Sequence, residues 1–302
     1  MSERITPAMV TSATLNDLNA SLSALQRTTD ELSSGRTILE PSDNPYGASQ
    51  VIELQSQLEG LNAYEGNAQD GIAWEDTATN AMSSISQVVQ RVRELLVQSA
   101  NGTYNQSDLE TMALQVEQLT EAIKQDANTQ YAGQYVFSGT ETNTAPYEQG
   151  ASDEYKGNEE TIARAIGPGS SVTITTNIST LLGNGEGAED EKLLDTLRTI
   201  AKDMRTPEDQ SALGGVDLQK LDANMETLTQ LQASAGSATD QLQTALTRNE
   251  DLQTSINEAL SDTDSTNIAA TSITYANEQA AYEAALRAGA TIVQESLLNF
   301  LQ

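Results

Sequence analysis

The 302 residues of the chain include neither cysteine nor histidine. Disulfide frameworks, thiolate nucleophiles, zinc fingers and histidine-based catalytic triads are therefore excluded. Aromatic residues are also scarce, with one Trp, two Phe and nine Tyr. Few rings remain to line a sugar cleft, which counts against a hydrolase using paired carboxylates, the distant alternative that the composition leaves open. We expect no enzymatic activity, no metal and no cofactor.

Basic residues are few as well. Fifteen Lys and Arg stand against 44 Asp and Glu, which gives a formal net charge of -29. Nucleic acids demand a basic face, and an anionic membrane surface attracts basic segments, so both partners are disfavoured. The first residues, Met1 to Arg4, lead into no apolar signal segment, and no apolar run reaches the length of a membrane span. We therefore expect neither nucleic acid nor a membrane as a partner, and no cleaved signal peptide.

Proline is rare, and long stretches of the chain keep helical spacing. In the last stretch, residues 266–301, apolar side chains recur at alternating steps of three, four and seven, the spacing of one stripe along a helix. This C-terminal stripe consists of Ile268, Tyr275, Tyr282, Leu286, Val293, Leu297 and Phe300. At about 1.5 Å per residue such a helix exceeds the length that a compact domain covers, so the stripe needs a partner.

The beginning of the chain has a matching stripe. This N-terminal stripe consists of Leu15, Leu18, Leu22, Leu25 and Leu32, with Thr29 at the missing position. We predict that the two end segments pair as an antiparallel or bundled coil. The alternative, two surface helices that cap a core, accounts for the spacing but not for apolar stripes at both ends.

A short non-helical link follows the first helix, which we expect to end near Gly35 because glycine suits the left-handed position after a helix. The link is Pro41, Ser42, Asp43, Asn44 and Pro45. Asn44 is predicted to cap the second helix and Pro45 to be its first residue. We also expect Ser42 and Asp43 to bond the free amides of that first turn.

The central part is predicted to hold further helices around a small β-containing insert. The second helix should end at Asn101-Gly102, and Ser107 with Glu110 predicts a capping box for the third. Strand-like residues 161–166 and 172–178 around Gly167-Pro168-Gly169 predict a hairpin. Helical spacing returns at 189–204 and again after Thr206-Pro207, with a break at 261–264 before the last helix. The predicted fold is mainly α: an elongated antiparallel helical bundle formed by both chain ends and the middle helices.

Three short patterns suggest ligand sites but fit loops better. Residues 183–188 match G-x-G-x-x-A, yet the acidic residues around them would repel a pyrophosphate. Residues 262–273 begin like a calcium-binding loop but have Asn267 at the sixth position and Ile273 at the twelfth. The acidic pairs Asp153-Glu154 and Glu159-Glu160 are interpreted as solvated loop residues.

Several segments, in order, resemble the family of flagellar hook–filament junction proteins (hook-associated protein 3), which are relatives of flagellin. They are Leu32-Ser33-Ser34-Gly35-Arg36, Pro41-Ser42-Asp43-Asn44-Pro45, Arg93-Glu94-Leu95, Ala100-Asn101-Gly102-Thr103, Gln134-Tyr135-Val136-Phe137-Ser138-Gly139, Thr144-Ala145-Pro146-Tyr147, residues 284–290 and Ser296-Leu297-Leu298. The chain has Asn44 where that family commonly has a second Asp, and Asn caps a helix equally well. Filament flagellin stays the alternative, although flagellins more often have an Ala-Lys-Asp-Asp-Ala-type segment at 41–45.

The resemblance implies a non-enzymatic subunit of the extracellular flagellum that joins a ring at the end of the hook. It implies that residues 1–40 and 264–302 line an inner tube, that 41–136 and 206–263 form a helical rod domain, and that 137–205 face outward. The implied partners are other copies of the chain, a hook-side junction protein, flagellin, an export chaperone and the flagellar type III export apparatus.

Overall fold

The computed structural model describes residues 7–101, 104–150, 153–185, 190–206 and 210–300; at the far end it describes the backbone but not the side chains of 292–300. This part of the chain is mainly helical, with two small antiparallel hairpins, which confirms the predicted fold class. The helices are α1 (Pro7–Ser34), α2 (Pro45–Ser99), α3 (Gln106–Ala127), α4 (Ser179–Leu182), α5 (Leu193–Arg205), α6 (Gln210–Leu213), α7 (Val216–Asp264) and α8 (Ile268–Phe300). The strands are β1 (Gln130–Tyr131), β2 (Gln134–Tyr135), β3 (Ala163–Gly167) and β4 (Ser170–Thr173).

The chain divides into two compact units. The terminal unit comprises residues 1–60 and 252–302, and the central unit comprises residues 61–251. In the terminal unit α1 packs against α8. A small apolar cluster of Ile38, Ala48, Val51 and Leu260 is its main buried core.

The central unit holds the large hydrophobic core. α2 contributes Trp74, Met82, Ile85 and Leu96 to it, each at most 1% exposed. α3 packs against α5, and α7 lies close to α2 at Gly71, where a side-chain carbon would meet Leu242 at 3.0 Å. Glycine at this position therefore permits a close approach of the two long helices.

The predicted hairpin is present as β3 and β4, paired antiparallel, with Gly169 of the turn at φ +68°. The second strand is shorter than predicted and ends at Thr173. Ile174 and Ile178 instead enter the core with no exposed surface. Between them the Asn177 side chain accepts a hydrogen bond from the Ser179 amide at 3.1 Å, which turns the chain into α4.

Helix starts and ends agree with the sequence in part. α1 ends before Gly35, which has φ +69°, as predicted. The predicted cap of α3 is wrong: Asn105, not Ser107, accepts from the Asp108 amide, at 3.0 Å. Asn105 has the extended backbone of a cap, whereas Ser107 already lies in the first turn.

The last two long helices also start at positions other than those predicted. α7 begins at Val216, after the short α6, and Pro207 lies outside the described residues. α7 continues through 261–264, so the predicted break there is wrong. The break falls at 265–267, where Asn267 caps α8 by accepting from the Ala270 amide at 3.1 Å.

Candidate assembly surface

Large apolar side chains are exposed mainly on the terminal unit. Nine of the twelve such side chains in the described part of the chain belong to it. They are Met9, Val10, Leu15, Tyr46, Ile52, Leu252, Ile268, Ile273 and Leu286. The central unit exposes only Val97, Leu114 and Val216 in this set. Contiguous exposed apolar surface is typical of a region that binds another protein.

The two predicted stripes lie along the contact between α1 and α8, but the contact does not bury them. Of the N-terminal stripe, Leu15 is 55% exposed and the other four leucines are half-buried. Of the C-terminal stripe, Ile268 is 65% and Leu286 44% exposed, and the two tyrosines are half-buried. The side chains of Val293, Leu297 and Phe300 lie outside the described residues.

Among the described side chains, the positions of α8 that turn toward α1 share only Tyr275 and Tyr282 with the predicted stripe. They recur at steps of three and four and are half-buried: Thr271, Tyr275, Glu278, Tyr282, Ala285 and Gly289. Gly289 approaches Thr14, whose methyl group would lie 3.3 Å from a side-chain carbon at that position. Thr28 donates a hydrogen bond to the Glu278 carboxylate. The pair is antiparallel, and apart from the two tyrosines α8 contributes small or polar residues to the contact.

A second polar contact, which sequence reasoning missed, joins the two breaks of the terminal unit. The Asp264 carboxylate accepts hydrogen bonds from the Ile38 amide at 2.9 Å and from the Arg36 guanidinium. The backbones bond as well, from Thr37 N to Asp264 O at 2.6 Å and from Thr266 N to Gly35 O at 3.0 Å. We call these bonds the Asp264 clasp. The sequence predicts only a helix break at Asp264, and no local spacing points to its contact with Arg36, 228 residues away.

The link motif caps α2 through Asn44 alone. Its side-chain oxygen accepts from the Gly47 amide at 2.9 Å, and Pro45 is the first helical residue, as predicted. Asp43 does not bond the amides of that turn. It accepts from the Glu40 amide at 3.0 Å and the Leu39 amide at 3.2 Å, and it pairs with Arg27 of α1 at 2.9 Å.

These contacts of Asp43 stabilise its charged form. The hydrogen bond from the Glu40 amide lowers the pKa of Asp43. Desolvation partly opposes this effect, and the Leu39 amide and Arg27 add to it. Ser42 likewise turns away from α2 and donates to the Glu40 carboxylate at 3.2 Å. Pro41 is exposed. The motif therefore stabilises the turn between α1 and α2. Two of its polar residues, Ser42 and Asp43, bind residues that precede them in the chain.

Asp153, one of the acidic residues considered as a cation ligand, has protein partners. It receives Lys124 Nζ at 3.0 Å and Arg198 Nε at 2.9 Å, and Arg198 also reaches Glu121 at 2.7 Å. Burial raises the pKa of Asp153, but the hydrogen bonds from Arg198 and Lys124 outweigh it and leave that pKa lowered. These four residues, the Lys124 cluster, join the 150s loop to α3 and α5.

The remaining ligand-site candidates gain no support from geometry. Gly183 and Gly185 adopt left-handed backbone conformations in a turn, while 186–189 lie outside the described residues. Within the described ranges no three acidic side chains converge as a metal site would require. No helix in the same ranges is both long and apolar enough to cross a bilayer.

The comparisons with known proteins point in one direction. Residues 5–142 match the family model of the bacterial flagellin N-terminal helical region. Flagellins of Salmonella muenchen and Salmonella typhimurium are each 38% identical to the chain over 141 residues, which is 46% of this chain. The matched segment is 28% of the length of those flagellins.

Several solved structures with a similar fold are hook-associated proteins. A putative flagellar hook-associated protein from Vibrio parahaemolyticus aligns with TM-score 0.66 and 16% identity, over 74% of this chain and all of that one. FlgL of Bacillus cereus aligns with a TM-score of 0.58 and 19% identity, over 69% of this chain and 99% of that one. The flagellar junction protein FlgL from Legionella pneumophila aligns with a TM-score of 0.58 and 13% identity, over 73% of this chain and all of that one. Residues 5–142 thus resemble the bacterial flagellin N-terminal helical region, and the fold of the chain is that of flagellar hook-associated proteins.

Proposed function

We propose that this protein is a structural subunit of the bacterial flagellum and that it assembles with copies of itself through α1 and α8. The observation that carries the proposal is the concentration of exposed large apolar side chains on the terminal unit. Removing such surface from water is favourable by roughly 25 cal/mol per Å². Only three charged residues occur between 268 and 291, namely Glu278, Glu283 and Arg287, so little charge opposes that burial.

The junction between hook and filament is the position that we propose within the flagellum. The structural matches favour it, because the chain covers 98–100% of several hook-associated protein structures. Filament flagellin is the second candidate, since the curated sequence relatives are flagellins. Their likeness covers 46% of this chain, whereas the likeness to the Vibrio parahaemolyticus hook-associated protein covers 74%, which favours the junction assignment.

The finer roles follow from the resemblance. Residues 1–40 and 264–302 form the inner layer of the assembly, 41–136 and 206–263 the second layer, and 137–205 face outward. The neighbours are a hook-side junction protein and flagellin. The subunit passes through the flagellar type III export apparatus, and a chaperone holds its last helix beforehand. The role is structural and needs no catalytic residue.

Immunogold labelling of isolated flagella tests the proposal. An antibody against the central unit should mark a single band where filament meets hook. Label along the whole filament would establish the flagellin alternative instead. Absence of label from flagella of a strain that expresses the protein would contradict both assignments.

A further inference from the structure

The buried group in the contact between α1 and α8 is a hydroxyl. Among the described side chains of α1, Thr28 is the only buried one, at 5% exposed, and every leucine of the N-terminal stripe is more exposed than it is. Its oxygen bonds the Glu278 carboxylate and lies 3.1 Å from the Ala24 carbonyl. A helix pair optimised only for its own stability would bury the leucines there instead.

Both apolar stripes are displaced from this polar contact in the same rotational sense. On a helix with about 3.6 residues per turn, Leu25, Leu18 and Leu22 lie roughly 60–120° around α1 from Thr28. Followed in the same N-to-C sense, the exposed side chains Ile268 and Leu286 both lie roughly 80° around α8 from Glu278. When two antiparallel helices face each other, residues displaced by the same angle and in the same N-to-C sense from the facing residues lie on the same side of the pair. The pair therefore has one apolar side, to which both helices contribute.

We propose that the Thr28–Glu278 hydrogen bond is a positioning contact that holds α1 and α8 in the rotational setting that presents this apolar side to a second copy of the chain. Rotation of the helices to bring the stripes against each other would separate the hydroxyl from the carboxylate. The half-buried carboxylate would then lose its donor, which opposes that rotation. The choice of a second copy as occupant rests on the proposed function; the positioning role does not.

The lack of cysteine allows a direct test in the full chain, since an engineered cysteine pair has no competitor. Thr14→Cys with Gly289→Cys, two positions in contact across the pair, should form a disulfide rapidly under mild oxidation. The double substitution Thr28→Val with Glu278→Leu replaces the polar contact by an apolar one. We expect it to slow that disulfide at least fivefold and to slow assembly, followed by light scattering, at least tenfold. Thr28→Ser keeps the donor and should leave both rates within twofold of the parent.

Each outcome decides a separate claim. An unchanged disulfide rate in the Val/Leu variant would overturn the positioning role. Slower disulfide formation together with a normal assembly rate would overturn the claim that the Thr28–Glu278 contact presents the apolar side for assembly. A parent chain that never assembles would contradict the proposed function, while the disulfide rates would still decide the positioning role. An unaltered melting temperature of the central unit checks that the variant is folded.

Discussion

At the scale of single residues, the least expected side chain is Glu75 in the middle of α2. It is 1% exposed, and its Oε2 atom has no hydrogen-bond partner among the described residues. Burial, with a smaller contribution from Asp76, raises the pKa of Glu75 to about 8. The carboxyl group therefore binds its proton more tightly in the folded chain than in the unfolded one.

Glu75→Gln should change the pH dependence of stability. Because the pKa of Glu75 is raised in the folded state, proton binding stabilises the fold. This contribution to the free energy of unfolding is fully present below about pH 4.5 and is lost as the pH rises toward about 8. The free energy of unfolding of the native chain should fall, relative to the Gln variant, by up to about 1.4 kcal/mol per pH unit within that window. Urea unfolding at pH 5 to 9 measures the difference. Parallel curves for the two proteins would show that Glu75 does not titrate in this way.

The Lys124 cluster gives a second prediction at this scale. Lys124 has no exposed side-chain surface, and Asp153 is its closest anionic partner. Asp153→Ala should destabilise the central unit by about 3 kcal/mol, because it leaves a buried charge without that partner. Glu94→Ala, which breaks the exposed pair with Arg91, should cost less than about 1 kcal/mol. Thermal unfolding of both variants is the measurement, and equal losses would contradict the importance of burial.

At the scale of elements, the start of α3 depends on Asn105. Asn105→Ala removes the bond to the Asp108 amide and should cost about 1 kcal/mol of stability. Ser107→Ala, two residues later, should leave stability within about 0.5 kcal/mol, because Ser107 already lies inside the helix. Denaturant midpoints compare the two. A larger loss of stability for Ser107→Ala than for Asn105→Ala would support Ser107 as the cap, as the sequence predicts.

The elements themselves follow from the sequence more closely than their contacts do. Three-four spacing indicates the long helices, and the positive φ of Gly35 and the Gly167-Pro168-Gly169 turn were predicted from the chemistry of glycine. The orientation of α1 was not. The sequence places Thr29 in the N-terminal stripe, but Thr29 is exposed and Thr28 is buried. Periodicity weighs apolar residues only, so it misses a polar pair whose partner lies 250 residues away.

At the scale of the whole molecule, folding and assembly should be separable by a substitution on the apolar side. Leu286 is 44% exposed in the terminal unit, so Leu286→Asp should shift the melting temperature by at most a few degrees. In an assembly the same charge would be buried without a partner, at a cost on the order of several kcal/mol per subunit. We expect a folded protein that does not assemble and a non-motile strain.

Leu114→Asp is the matched control for Leu286→Asp. Leu114 is 54% exposed but lies on α3 of the central unit, so its variant should melt and assemble as the parent does. Swimming assays and light scattering compare the two variants. A strain that swims normally with Leu286→Asp would show that this side of α8 is not an assembly surface.

The Asp264 clasp also has a mechanical consequence. The helix pair of α1 and α8 joins the rest of the chain through two connections, residues 35–44 and 265–267, which hydrogen bond to each other where they leave the pair. A tensile load on the pair is therefore divided between two covalent connections in parallel. Slippage of one connection past the other would break the bonds from Thr37, Thr266 and Ile38 together rather than one after another. The joint can thus transmit torque and tension between the terminal helices and α2 and α7 without depending on a single segment of backbone.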